Sequence, residues 1–503
     1  MLDIKLFREN PDLIKKSLRK RQDSEKLHWV DEVVNMDNRS RKIKQRADSL
    51  RNERNNISAE INRLKKEKKP FDQLIKKAAS IPQEIKEIED EMKAINEKII
   101  YYRMRLPNIL HDSVPYGKDS SENVVVRKIG KPKEFNFELK SHGELAEALD
   151  MVDFEDAAKI AGTGFYYLKG ELALLDHALQ RFAIDHLMKK GFTLVETPMM
   201  MSRKAYEGVT SLADFENVMY KIENEDLYMI ATSEHPLMAM NMNEVIDESK
   251  LPLMFCGISS CFRKEIGSHG VDTRGIFRVH QFNKIEQVVI CKPEDSWKMH
   301  EEIQKNSEEL FKALGIPFRV VNICTGDIGI IAAKKYDIEA WSPRQQKYFE
   351  VTSASNCTAY QAVRLNIRYQ KKNGEREYVH SLNNTGIATS RAMVAILENF
   401  QNKDGSISIP KALQPYMNNM KVIGAKANPE AKKSVSAKKS AASRKSAKKK
   451  KAKKMKAMEK AVEPKKSVKN KPKAKARRIA IKLKKSAKEK PKSKAKARKK
   501  KKR

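Results

Sequence analysis

Cysteine is scarce in this chain and a glycine-rich phosphate cradle is missing, and each shortage closes off a class of protein. The five cysteines, Cys256, Cys261, Cys291, Cys324 and Cys357, are odd in number and contain no C-x-x-C pair. A disulfide framework is therefore not expected, and the pattern fits a reduced, cytoplasmic compartment. Cys256 and Cys261 fall on one apparent strand without a second Cys or His pair, so they read as buried packing residues, and no zinc is expected. No apolar run approaches the roughly 20 residues needed to cross a bilayer. The first ten residues, MLDIKLFREN, carry charges where a secretory leader is apolar, so a soluble protein with no membrane partner is expected. Neither G-x-x-x-x-G-K-S/T nor a helix-opening G-x-G-x-x-G occurs, so any phosphate must be held by side chains.

With 503 residues the chain has room for two or three domains and a core that needs no covalent staple. Its charge sits at one end. Residues 425–503 hold 37 Lys plus Arg against four Glu, a net of +33 out of +37, which leaves +4 for everything before them. Lys, Ala, Ser and Pro with few large apolar side chains cannot bury enough surface to fold, so a disordered Lys-rich tail is expected there. RRIAIKLKK, residues 477–485, is the one stretch suited to ordering on a partner. Such a polycation binds RNA or DNA without sequence preference and with steep salt dependence. A solubilising tail or an import signal is the blander reading.

The clearest periodicity lies between residues 36 and 102. Met36, Ile43, Ala47, Leu50, Ile57, Ile61 and Leu64 follow heptad a and d positions, and Leu74, Ala78, Ile81, Ile85, Ile88, Met92, Ile95, Ile99 and Tyr102 form a second register. The short Lys-Lys-Glu-Lys-Lys-Pro between them, residues 65–70, only has length to reverse the chain, which predicts an antiparallel helical hairpin. Pro82 predicts an interruption just past the tip, with Ser80 capping a restarted helix. A coiled coil by itself suggests a dimerisation or spacer element. Arg39, Arg41, Lys42, Lys44, Arg46, Arg51, Arg54 and Arg63, with Lys65, Lys66, Lys68 and Lys69 at the tip, turn the reading toward a phosphate-contacting arm.

After a proline-punctuated linker from about 103 to 170, the pattern becomes that of an αβ body. Helices are predicted near Ser141 to Leu149 and at Glu171 to Lys190, Pro293 to Leu314 and Ile387 to Phe400. Strands are predicted at 192–196, 227–230, 253–263, 276–291, 318–323, 347–353, 364–369 and 377–382. Strands that follow one another without helices between them imply hairpins, hence an α+β fold with a mainly antiparallel sheet flanked by helices.

Within that body the stretch from Phe262 to Glu286, FRKEIGSHGVDTRGIFRVHQFNKIE, has the order of a nucleotide site. Arg263 and Arg278 offer planar forks for phosphate or carboxylate, and Phe282 offers an aromatic face for a base. Taken singly, an Arg-x-Glu is most simply a strand-face ion pair, a lone Phe is core, and His269 and His280 are structural.

Three stretches together resemble the signatures of a known family. GFTLVETP, residues 191–198, resembles the helix-and-strand dimer element of class II aminoacyl-tRNA synthetases; Phe262–Glu286 resembles the second signature; GIATSRAMVAILEN, residues 386–399, resembles the third. With the basic hairpin, the chain is similar to the seryl-tRNA synthetases over residues 1 to about 423. TSEHP, residues 232–236, and SNCTAYQ, residues 355–361, resemble the archaeal branch. The resemblance implies a class II fold in three parts: a tRNA-binding domain with its arm at 1–110, a catalytic domain at 111–424, and the tail at 425–503. It also implies a homodimer that grips the long variable arm of its tRNA.

Carried over position by position, the resemblance assigns ATP to Arg263, Lys264, Glu265, Val279, Phe282, Glu350, Val351, Thr352, Ser353 and Arg391. Arg263 would reach the α-phosphate and the substrate carboxylate, Glu265 the adenine, and Arg278 the γ-phosphate. Phe282 and Arg391 would cover the two adenine faces. Arg263, Arg278 and Arg391 are thereby the catalytic cations, and Glu350 with Ser353 the oxygen ligands of Mg²⁺. L-serine falls to Thr232, Ser233 and Glu234 around its ammonium, to Arg263, and to Glu286 and Thr385 at its hydroxyl. The implied reaction makes seryl-adenylate and pyrophosphate from serine and ATP, then acylates tRNA(Ser), with tRNA(Sec) as a second candidate acceptor. Ser390, where glycine commonly precedes the third-signature arginine, and Asn384, beside Thr385, depart from the family pattern and place bulk near the pocket. Two other classes stay open: a class II-like ligase for a different acceptor, and a nucleic-acid-binding protein with a vestigial synthetase body.

Overall fold

The computed structural model describes residues 1–211, 216–265 and 275–424. The Lys-rich tail and residues 266–274, with His269 among them, lie outside the described residues.

The N-terminal region folds as helices whose caps fall where the chain turns. Asp3 accepts from Lys5 N at 3.0 Å, Asn10 accepts from Leu13 N at 3.1 Å, and Pro11 takes a first-turn position where a missing N–H loses no bond. Helices Ile4–Glu9 and Pro11–Lys20 lead into Leu27–Lys66, and the chain returns as Asp72–Arg105. The first long helix has 40 residues, about 60 Å of arm. Leu50 and Ile57 bury against Ile81 and Ile85, as the heptads require.

The break expected at Pro82 does not occur. The helix runs through it, and the Ser80 hydroxyl donates to Lys77 O at 3.1 Å instead of capping a new start. Ile81 and Ile85 on either side are held in the seam, and this packing outweighs the one backbone bond that proline removes. At its base the arm joins the body through Tyr360, buried among Phe7, Ile14 and Leu18, whose OH donates to Leu106 O at 2.7 Å.

The body is α+β. Eight strands form its main sheet: β1 Val124–Ile129, β2 Thr193–Glu196, β3 Leu253–Phe262, β4 Gln281–Cys291, β5 Phe318–Asn322, β6 Lys334–Ser342, β7 Lys347–Thr358 and β8 His380–Ala388. Their spatial order is β1-β5-β6-β7-β8-β4-β3-β2, antiparallel throughout except for the β3 and β2 pair. Helices Gly170–Lys189, Ser296–Leu314 and Thr389–Asn399 bury Leu175, Leu179, Ile303, Phe311, Ile396 and Leu397 with Ile285, Val289, Ile338 and Leu382 of the sheet. Each such side chain contributes on the order of 2 kcal/mol. Period-two alternation then decides what faces the opposite side. Gln287 turns toward the helices and donates to Ile303 O at 3.2 Å, while Lys284 and Glu286 of the same strand face a cavity.

Three predicted strands change. The returning strand starts at Gln281 rather than 276, so Arg278 and Val279 lie on a non-strand segment. Residues 364–369 divide into the end of helix Tyr360–Leu365 and the short strand Arg368–Gln370, separated by Asn366 in the left-handed region at φ 55°. Arg364 belongs to that helix because its guanidinium donates to the carbonyls of Met104, Glu207 and Thr210 at 2.7, 3.2 and 2.9 Å. The stretch 377–382 is likewise cut, into Arg376–Tyr378 and β8. Strands β1 and β6 are additions. In β6, Lys335, Asp337 and Glu339 alternate with buried Tyr336, Ile338 and Ala340, a strand with one charged face.

Candidate active site

On the face away from the three helices, strands β4, β6, β7 and β8, with the residues that follow β3, line a cavity of about 540 Å³. It gathers every site residue expected from the resemblance except Lys264, Ser233 and Thr352. Arg263 and Glu265 stand at the end of β3, Phe282 and Glu286 on β4, Glu350, Val351 and Ser353 on β7, Thr385 on β8, and Arg391 in the first turn of Thr389–Asn399.

The cations are arranged against aromatic faces and carboxylates. The Arg263 guanidinium lies 5.3 Å from the Phe282 ring centroid, and its Nε and Nη2 both donate to Ala231 O at 3.3 Å. Arg391 lies 5.4 Å from the Phe277 centroid and 3.4 Å from the Glu350 carboxylate. Arg278 pairs with Glu265 at 3.4 Å. Glu265 has φ +46°, an unusual conformation for a residue with a Cβ, immediately before residues 266–274.

Two bulges orient the polar groups. On a regular strand, residues three apart point to opposite faces. Between β6 and β7 the register shifts, so that Ile338 pairs with Thr352 and the next residue, Glu339, pairs with Glu350. Val351 is the extra residue, and its bulge brings Glu350 and Ser353 to the same cavity wall. A carboxylate and a hydroxyl on one wall are hard oxygen donors that fit Mg²⁺ beside phosphates. Among the described residues no three His, Cys, Asp or Glu side chains gather as a metal ligand set. Desolvation works to raise the Glu350 carboxyl, but Arg391, Lys335 and Arg263 outweigh it and hold it below the ordinary carboxylate value. Buried Asp337, 3.2 Å from Lys335, is pushed up by burial, with Lys335 opposing and Glu350 adding to the rise.

The second bulge falls at Gly386, between the cross-strand pairs Thr385 with Glu286 and Ile387 with Ile285. A Cβ at Gly386 would come within 3.1 Å of Ile285 O, so only glycine fits this close approach without displacement. Glu286 and Thr385 are thus direct neighbours at the bottom of the cavity, both buried. Burial raises the Glu286 carboxyl, against the pull of Lys284, whose Nζ lies 2.5 Å away, and of Arg263 and Thr385. Glu234 is pushed up to about 7 by burial and by Glu286, while Lys284, Gln361 and Arg263 oppose the rise. Gln361 donates to Glu234 at 3.0 Å and accepts from Ser381 at 2.7 Å, so the carboxyl is fixed from behind. His235 is forced down to about 3 by burial and by Lys284 and Arg263, and remains a neutral ring against Tyr206 OH at 2.9 Å.

The three outlying residues have local causes. The Ser233 hydroxyl sits over Gly257, where a Cβ would lie only 2.7 Å from its oxygen, and so packs under the cavity wall. Thr352 faces the helix side of β7, and Lys264 reaches over the Tyr220 ring at 5.7 Å. Asn384 also turns away, donating to Ile303 O at 2.6 Å and Ser307 at 2.8 Å, so its bulk does not enter the pocket, whereas Ser390 does line it. Sequence reasoning missed Lys284, Lys335, Phe277 and Gln361. The signal for Lys284 was present: in F-N-K-I-E-Q-V-V-I two opposite charges stand on either side of Ile285, on a strand that continues into an apolar run.

Residues 1–110 match the family described as the seryl-tRNA synthetase N-terminal domain, and residues 218–400 match the class II tRNA synthetase core domain (G, H, P, S and T). The serine-tRNA ligase of Methanocella arvoryzae is 59% identical over 425 residues, covering 84% of this chain and 100% of that relative. The chain belongs to the seryl-tRNA synthetase family. The serine-tRNA ligase of Pyrococcus horikoshii is 51% identical over 437 residues, covering 83% of this chain and 96% of that protein. The crystal structure of the seryl-tRNA synthetase from Pyrococcus horikoshii complexed with ATP superposes with a TM-score of 0.80 at 51% identity, covering 84% of this chain and 99% of that one. The cytoplasmic serine-tRNA ligase of Naegleria fowleri in complex with AMP gives 0.77 at 37% identity, covering 84% and 98%.

Proposed function

We propose that this chain activates L-serine with ATP and transfers it to tRNA(Ser). The observation that carries the reading is the cross-strand pair Glu286 and Thr385 in the same cavity as Arg263. A hydroxyl can donate to a buried carboxylate there and a methyl group cannot, a difference worth up to about 10⁴-fold in such sites. Glu234 and Thr232 take the ammonium, and Arg263 takes the serine carboxylate and the α-phosphate in one fork, aligning nucleophile and electrophile. Arg278, Arg263 and Arg391 stabilise charge that develops on the transferring phosphoryl group. Phe282 and Arg391 flank the adenine, and Glu265 bonds its edge. Glu350 and Ser353 would hold Mg²⁺, which would supply positive charge to offset that of the phosphate oxygens. No side chain is required as a covalent nucleophile, and neutral His235 is unsuited to take a proton at pH 7. Serine-dependent ATP-pyrophosphate exchange tests the reading. Exchange with serine supports it, exchange with no charging of tRNA(Ser) or tRNA(Sec) supports a different acceptor, and no exchange overturns it.

Three further readings attach to the same proposal. The basic arm contacts tRNA, through exposed Lys42, Lys44 and Arg54. The protein is a homodimer, supported by the edge strand β2 with its exposed Leu194 and by the exposed Met199 and Met200 that follow it; light scattering at a single-protomer mass would contradict this. The tail binds RNA or DNA non-specifically, supported by its net +33. Its removal lowers RNA affinity and flattens the salt dependence while exchange persists. A cytoplasmic location agrees with five free cysteines, all buried.

A further inference from the structure

Glu286 does not stand alone at the bottom of the cavity. Lys284, two residues earlier and on the same face of β4, has 7% of its side chain exposed, against 2% for Glu286, and the two charges meet at 2.5 Å. A buried ammonium is costly, and packing does not ask for one here, since the cross-strand neighbours of Lys284 are Ser259 and Ala388. Its charge acts in two directions: it opposes the rise of Glu286 and that of Glu234. Arg263 is the second cation that faces both carboxylates and opposes the same two rises.

We propose that Lys284 is the residue that makes the serine site selective: its ammonium fixes one Glu286 oxygen, so that the carboxylate serves only as an acceptor for the substrate hydroxyl. This rests on Glu286 being the hydroxyl partner, as argued above. The chemistry of the acceptor decides the selectivity. An ionised carboxylate needs a donor, and serine supplies one where alanine supplies a methyl group. A protonated Glu286 would already carry its own hydrogen and would tolerate the methyl group far better. Lys284 acts on the substrate through Glu286 and is a positioning residue.

The test compares the full chain with its Lys284→Met and Lys284→Gln variants, using ATP-pyrophosphate exchange driven by serine or by alanine from pH 6 to 9. Lys284→Met is expected to raise KM for serine by about 10- to 100-fold, leave KM for ATP within about twofold, and lower the serine-to-alanine preference at least tenfold. The acid limb of kcat/KM for serine moves to higher pH, because Glu286 and Glu234 both lose the charge that favours their ionised forms. Lys284→Gln, which keeps the length and a hydrogen bond, shows the same pH shift. An ATP-induced rise in melting temperature establishes that a variant is folded; if the Met variant lacks it, the Gln variant decides on the same criteria. An unchanged serine-to-alanine preference with an unmoved acid limb, or equal losses toward ATP and serine, overturns the proposal. Absence of serine-dependent exchange in the unaltered chain overturns the functional reading instead.

Discussion

The arm and the cavity are both rich in charge, and they use it in opposite ways. On the arm, Arg39 meets Glu91 at 2.6 Å, Arg51 meets Glu89 at 2.7 Å and Arg46 meets Glu84 at 3.7 Å, all across the hairpin and all largely in water; the Arg39 side chain is 67% exposed. Several of the cations expected to meet phosphate therefore already have a carboxylate partner. In the cavity, Lys284 and Glu286 are almost sealed from solvent. Exposed charges act through their number and spacing, are screened by salt, and tolerate exchange. Buried charges act through identity and geometry, because a lost partner leaves an unpaired ion. Substitutions should therefore be drastic and specific in one region, and mild and cumulative in the other.

The sharpest break in that comparison comes from Arg263→Ala. It should lower serine-dependent exchange by at least about 10³-fold, since one fork is lost from both reactants; a tenfold loss in a single-turnover assay would remove Arg263 from the centre of the mechanism. A smaller effect concerns pH. Glu234 has its carboxyl raised to about 7 in the folded chain. The sign follows: a raised carboxyl favours the folded state below its unfolded value, and that contribution is lost as pH rises toward about 7. Glu234→Gln should flatten the stability curve between about pH 4.5 and 7 in thermal melts. If Glu234 takes the serine ammonium as proposed, KM for serine should climb as pH falls below about 7, and the Gln variant should lose that climb.

Effects on the arm should be smaller still. Lys44→Ala with Arg54→Ala should weaken tRNA binding by about 3- to 10-fold and reduce the salt slope by about one to two, with exchange unaltered. Loss of exchange would mean that the arm and cavity are not separable as described. At the bottom of the scale, Arg39→Ala should leave the melting temperature within measurement error, because a water-exposed pair holds two long side chains in place for little gain.

The same contrast explains what the sequence made legible. The hairpin could be read because its apolar seam repeats over many turns, and Leu50, Ile57, Ile81 and Ile85 bury as the heptads demand. Pro82 misled because a local rule about one hydrogen bond was set against the packing of a whole helix. In the body, the second and third signature stretches pointed to Arg263, Glu286 and Arg391, and these line one cavity. Strand β6 escaped because Lys335, Asp337 and Glu339 make it look like a solvated segment, when its charges line one face of a buried strand. The exclusion of Thr352 and Ser233 from the cavity depends on a bulge and on a glycine contact, and neither is written in residue type alone. Lys284 was hidden for a simpler reason: a lysine beside a glutamate on a strand ordinarily signals a wet face, and only the tertiary fold shows it to be dry.

The central claim, that one antiparallel floor places a hydroxyl-recognising carboxylate next to an ATP clamp, is tested most directly by exchange kinetics of Glu286→Ala with serine and ATP varied independently. The expected result is a rise in KM for serine of about 100-fold or more with KM for ATP within about twofold. An equal loss toward both reactants, or an unchanged KM for serine, would contradict it.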